Sequence, residues 1–69
     1  MDVDQIKQDL VNAGVRLTPQ RQTILTYLAG TGAHPSARQV FDEVRELYPK
    51  ISLATVYNTV ALLIRRGHL

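Results

Sequence analysis

Residues 52–67 allow one reading of their shape: a helix with one apolar side and one side that only a partner would use. At 100° per residue, Leu53, Val56, Val60, Leu63, Ile64 and Gly67 gather on one side. Ala54, Asn58, Ala61 and Arg65 fall opposite, with Thr55 and Tyr57 on the flanks. The outer side is small, polar and basic, and it lacks the Glu–Lys pairs of an ordinary solvated helix. Small residues let a helix lie against the floor of a DNA groove, where long side chains would hold it away from the bases. The stretch is predicted to be a recognition helix. Leu62 points away from the predicted core side, so it is either a lone exposed leucine or a residue that needs a covering segment.

Three more helices are predicted ahead of it. The first covers residues 3–13, with Val3, Ile6, Leu10 and Val11 on one face and Gly14 just past its end. Thr18-Pro19 announces the second: a capping hydroxyl, then Pro at the first helical position, where its missing N–H is no loss. That helix runs to about Ala29, buries Ile24, Leu25 and Leu28, and stops at Gly30-Thr31-Gly32. Ser36 and Gln39 have capping-box spacing and open the third helix, which is expected to bury Val40, Phe41, Val44 and Leu47 before Pro49. A turn over residues 49–51 leads to Ser52 as the last cap. Helix, short turn and helix with an unadorned outer face is the layout of a helix-turn-helix, here with two supporting helices.

At 69 residues the chain has room for one small domain, and its 45% hydrophobic content suits a globular one. No apolar run approaches the roughly 18 residues of a membrane helix, and the acidic, polar start is unlike a signal peptide, so a soluble cytoplasmic protein is expected. The absence of cysteine excludes a disulfide framework and a Cys-ligated zinc site within these residues. A net charge of +2 says little, but its distribution says more. Acids cluster at Asp2, Asp4 and Asp9 and at Asp42, Glu43 and Glu46. Arg16, Arg21, Lys50, Arg65 and Arg66 sit at helix starts, turns or the far end of the last helix, from which a helical domain reaches phosphates.

Gly14-Val15-Arg16-Leu17-Thr18-Pro19-Gln20-Arg21, then Ala33-His34-Pro35-Ser36-Ala37, then residues 51–58, resemble the ferric uptake regulator family of bacterial metal-dependent repressors. The resemblance spans essentially the whole chain and keeps the family's motif order. It implies an all-α, four-helix winged-helix domain over residues 1–69 that lacks its β-wing, with the wing and a C-terminal metal-binding dimerisation domain absent. The ending Arg66-Gly67-His68-Leu69 likewise reads as a helix stop and the start of a strand, so a fragment is expected. Asn58 after Thr55-Val56-Tyr57, together with Ala33-His34-Pro35, is most similar to the peroxide-responsive branch. Iron-, zinc- and haem-responsive members remain as alternatives.

The resemblance implies roles for Tyr57, Arg16 and His34, and helix geometry suggests those of the other candidates. Tyr57 would pack against thymine methyls, or else be a half-buried packing residue. Asn58 could bond adenine N6 and N7 together, or be a solvated polar side chain. Ser52 and Thr55, at a helix N-terminus, would hold phosphate, and Ser52 would also cap. Ala54 would permit close approach. Arg16 would enter an A·T-rich minor groove, whose negative potential attracts cations, or be an ordinary exposed Arg. Arg21 and Lys50 would position the backbone, and Tyr27 would be core or rim. His34 is either a turn residue or, as in the peroxide-responsive branch, one ligand of the regulatory metal. In that branch bound iron promotes oxidation of the ligand by peroxide and releases the DNA. One His cannot hold a divalent ion tightly, so no cofactor is expected in these residues. The full-length protein would bind a regulatory Fe or Mn ion and a structural Zn. His68 has no partner at ligand spacing and reads as incidental. The implied partners are double-stranded DNA with an A·T-rich palindromic operator and, through the missing domain, a second copy.

Two other classes compete. A protein-interaction module would show apolar residues on the outer face of the last helix, where only Leu62 qualifies. An enzyme needs a nucleophile, base and orienting acid or a phosphate-cradling loop, and no such set can be assembled.

Overall fold

Helices form where the capping residues allow them. The computed structural model describes residues 2–32 and 34–69, so Ala33 of the Ala33-His34-Pro35 motif lies outside the described residues. Helices α1 (Val3–Asn12), α2 (Pro19–Gly30), α3 (Ala37–Leu47) and α4 (Leu53–Arg65) follow one another, with no strand among the described residues. Asp2 caps α1, its carboxylate accepting from the amides of Asp4 and Gln5. Thr18 caps α2 by accepting from the Arg21 amide at 3.2 Å, with Pro19 first in the helix. Ser36 and Gln39 close a reciprocal capping box on α3, at 3.1 and 2.8 Å. Ser52 Oγ accepts from the Thr55 amide at 3.0 Å and starts α4.

Two helices stop the same way. Gly14 and Gly67 adopt φ of 80° and 79°, the left-handed region that glycine enters without a Cβ penalty. Val15 N–H then donates back to Leu10 O at 2.8 Å, and His68 N–H to Leu63 O at 2.8 Å. These bonds satisfy carbonyls that the helix ends would otherwise leave free.

Ile6, Leu10, Ile24, Leu25, Leu28, Val40, Val44, Ile51, Val56 and Leu63 form the buried cluster, with α4 packed on α2 and α3 and α1 packed on α2. Several expected core positions differ. Val11 is exposed because it lies about 100° round the helix from Leu10. Leu47 points in the same direction as Val40 and Val44, yet it is 72% exposed at the end of α3, beside an open groove bordered by Thr23 and Tyr27. Phe41 is only partly buried, and the guanidiniums of Arg38 and Arg45 lie 5.6 and 5.4 Å from its ring centre.

The largest revision concerns α4. Its buried stripe is Val56, Thr59 and Leu63, and Ile64 is 57% exposed. Relative to the expected apolar side, the helix is rolled by roughly 60°, at 100° per residue, toward Thr59. The Thr59 hydroxyl donates to Thr55 O at 2.7 Å, which lets a polar residue occupy the core without an unpaired group. The same roll brings Leu62 against the cluster, so no covering segment is needed there. It also swings Tyr57 outward.

The C-terminal turn is tied to α1. Arg66 grips Asp9 through Nη2 at 2.6 Å and Nε at 3.0 Å, and the His68 ring pairs with the same carboxylate at 2.8 Å. His68 is therefore not incidental, and Arg66 is committed to Asp9 rather than free to reach a phosphate. The Arg66 bonds, followed by that of His68, hold the Asp9 carboxyl well below the usual carboxylate range. A carboxylate with a lowered folded pKa adds stability above its ordinary value of 3.8, and that stability fades as pH falls below it. The D9N variant is expected to melt lower than the parent chain at neutral pH. It should also lose less melting temperature than the parent between about pH 5 and pH 2. The pair is part-exposed, so added salt should narrow the difference. Identical pH profiles for the two proteins would show that the bridge adds nothing.

Candidate nucleic-acid interface

The roll of α4 determines which side chains it presents. Ala54, Tyr57, Asn58 and Arg65 are exposed on its outer side, with Tyr57 49% exposed. Residues 52–69 contain no Asp or Glu, so nothing on this helix repels a polyanion. Tyr57 stands on the outer side rather than its flank, with its ring accessible beside Asn58. At the helix start, the Ser52 and Thr55 hydroxyls lie 2.7 Å apart, and Ser52 is already engaged as the cap. Thr55 is only partly exposed, at the edge of the same surface.

The first turn of α2 meets this surface. Thr18, Pro19, Gln20 and Arg21 face Tyr48, Thr55 and Asn58 across a cleft of about 260 Å³. The fold thus brings Arg21 to Thr55 and Asn58, which lie far from it in sequence. Gln20 and Thr18 join them, although sequence reasoning did not single them out as site residues. Their signal in the sequence is the Thr-Pro-Gln-Arg start of α2, which also forms its cap.

Arg16 lies in the loop between α1 and α2 and is exposed. Its neighbours Val15 and Leu17 pack against the core cluster, so the loop is anchored on both sides of it. Arg21 is less free than expected, since its Nη1 donates to Arg16 O at 2.6 Å. Lys50 is exposed in the turn before α4. Tyr27 is at the rim of the core, as expected.

His34 is exposed in the loop before α3 and shares a shallow cavity with His68, Leu28 and Leu69. Among the described residues, no three His, Cys, Asp or Glu side chains are grouped so that they could hold a metal ion. No helix among them is long and apolar enough to cross a membrane.

The ferric uptake regulator family model matches residues 12–69. The peroxide-responsive repressor PerR of Staphylococcus epidermidis (strain ATCC 12228 / FDA PCI 1200) is 39% identical over 59 residues, 86% of this chain and 39% of that protein. PerR of Staphylococcus aureus (strain USA300) is 41% identical over 59 residues, 86% of this chain and 40% of that protein. Among solved structures, GAS PerR in a Zn-Zn form aligns with a TM-score of 0.87 at 31% identity, covering 94% of this chain and 41% of that one. A structure of PerR from Streptococcus pyogenes, concerned with peroxide sensing and gene regulation, aligns with a TM-score of 0.83 at 31% identity, over 94% and 44% of the two chains. The chain spans about two fifths of the length of the curated relatives it matches.

Proposed function

The chain belongs to the ferric uptake regulator family, and from that premise we propose that α4 reads DNA for a metal-dependent, peroxide-responsive repressor. Its helices are those of a winged-helix domain, and the single observation that carries the reading is the outer side of α4. That side is free of acids, presents Tyr57 and Asn58 to solvent, and adjoins the cleft with the first turn of α2. A groove-reading helix needs these properties, and a merely solvated one does not.

In this reading Asn58 pairs with an adenine edge, Tyr57 packs on thymine methyls, and Ala54 lets the backbone approach. Ser52 and Thr55 bind a phosphate at the helix N-terminus, where the dipole and free amides favour an anion. Arg16 enters an adjacent A·T-rich minor groove. Arg21 stands at the same edge of the surface. The partner is an A·T-rich palindromic duplex, met by two copies of the full-length protein, each on one half-site.

The residues present do not fit a complete metal centre. His34 offers one imidazole, and the described residues supply no further donors beside it in the required number. His34 would thus be one ligand among several in a full-length protein carrying a regulatory Fe or Mn ion and a structural Zn.

Fluorescence anisotropy of the chain with an A·T-rich palindromic duplex tests the proposal. A single copy should bind weakly, with a non-specific Kd of about 10⁻⁴–10⁻⁶ M and tighter binding to the palindrome than to a scrambled duplex. Affinity should fall steeply with added salt, because counterions released into a more concentrated solution gain less entropy. Absence of binding to either duplex by the folded chain at low salt would contradict it.

A further inference from the structure

Two side chains of α2 reach back to consecutive carbonyls of the loop that carries Arg16. Arg21 Nη1 donates to Arg16 O at 2.6 Å, and Gln22 Nε2 donates to Leu17 O at 3.2 Å. The first is short and charge-assisted, the kind that fixes geometry best. Below the loop, Val15 and Leu17 are packed against the core. The backbone of Arg16 is thus held from beneath by its neighbours and from the side by α2, while its side chain stays exposed. Arg21 takes part in no ion pair among the described residues, so the carbonyl is the group its guanidinium engages.

We propose that Arg21 is a positioning residue for Arg16, supported by Gln22, and that it sets how strongly the chain prefers A·T-rich flanks. The proposal rests on the minor-groove reading of Arg16. A long side chain entering a narrow groove loses rotamer freedom on binding, and a mobile loop beneath it would add backbone disorder to that loss. Fixing the carbonyls of residues 16 and 17 in the free protein removes the second part. Arg21 then affects shape reading through Arg16 without touching the bases. A direct phosphate contact by Arg21 would instead strengthen binding to every duplex alike.

A double-mutant cycle separates the two roles. Anisotropy is measured with two duplexes that share one centre and differ only in A·T or G·C flanks, for the parent chain, R16A, R21Q, Q22A and R16A/R21Q. R16A should lower the A·T-to-G·C affinity ratio by roughly fivefold or more. R21Q should lower it by most of the same factor, and Q22A, which changes no charge, by a smaller one. Once Arg16 is gone, adding R21Q should move the ratio less than twofold. Gln22 is exposed, Arg21 is half-buried, and the Thr18 cap uses only the Arg21 backbone, so the variants should stay folded, which a thermal scan checks. If R16A loses the ratio but R21Q keeps it, with equal weakening on both duplexes and a salt slope reduced by about 0.9, the positioning role is overturned and Arg21 is a phosphate contact. If R16A itself leaves the ratio intact, the minor-groove reading falls, and the positioning role falls with it.

Discussion

Replacing Asn58 with alanine is expected to weaken sequence-specific DNA binding by about 1–3 kcal/mol, roughly five- to 150-fold. The Asn amide N–H can donate to adenine N7 while its carbonyl oxygen accepts from adenine N6–H, and alanine retains neither function. Asn58 is exposed on the outer side of α4 and makes no intramolecular side-chain bond among the described residues, so the fold should be unaffected. Binding to a scrambled duplex should change little, because phosphate contacts carry no sequence information. The quantity to measure is the ratio of affinities for the palindrome and the scrambled duplex. An unchanged ratio in N58A would remove Asn58 from the base-reading set.

The second large effect concerns the roll of α4. Leu63 is fully buried and Ile64 is 57% exposed, although both were expected on the core side. Leu63→Ala should destabilise the chain by about 2–5 kcal/mol through lost burial and the cavity left behind. A chain of this length has a total stability of only about 3–10 kcal/mol at ordinary per-residue values. L63A should therefore melt lower by roughly 10 °C or more, or be partly unfolded at room temperature. Ile64→Ala should stay within about 0.5 kcal/mol of the parent, as surface substitutions do. Equal losses in the two variants would return the helix to the expected orientation and turn Tyr57 back toward a flank.

Local chemistry was readable from the sequence, and long-range geometry was not. Thr18-Pro19, Ser36 with Gln39, Ser52, Gly14 and Gly67 act on groups within a few residues of themselves, so their roles could be stated before any packing was known. The roll of α4 could not be read that way, because hydropathy counts Thr59 as polar. Only its hydroxyl bond to Thr55 O explains why it can be buried in place of Ile64. Leu47 fails for another reason: it points in the core direction, but none of the described residues covers the end of α3 on that side. Asp9 meets Arg66 and His68 across nearly the whole chain, and no local pattern marks that meeting.

The candidate site divides along the same line. Ala54 and Asn58 follow from helix periodicity, whereas periodicity leaves Tyr57 on a flank and its base-contact role is implied by the resemblance; the observed roll exposes it. The cleft joining Thr55 and Asn58 to Gln20 and Arg21 comes from the packing of α2 beside α4. The bond from Arg21 to Arg16 O depends on the path of the loop and turns a residue read as a phosphate contact into one that holds its neighbour.

An NMR shift titration of the chain with an A·T-rich palindromic duplex and a scrambled control, at two salt concentrations, tests the central claim most directly. The account predicts perturbations centred on Arg16, Ser52, Thr55, Tyr57 and Asn58, larger with the palindrome and reduced by salt. Leu47 and the α1 residues, outside that surface, should stay still. Signals that moved for neither duplex at low salt, or that moved instead around the groove beside Leu47, would contradict the assignment of α4 as the DNA-reading helix.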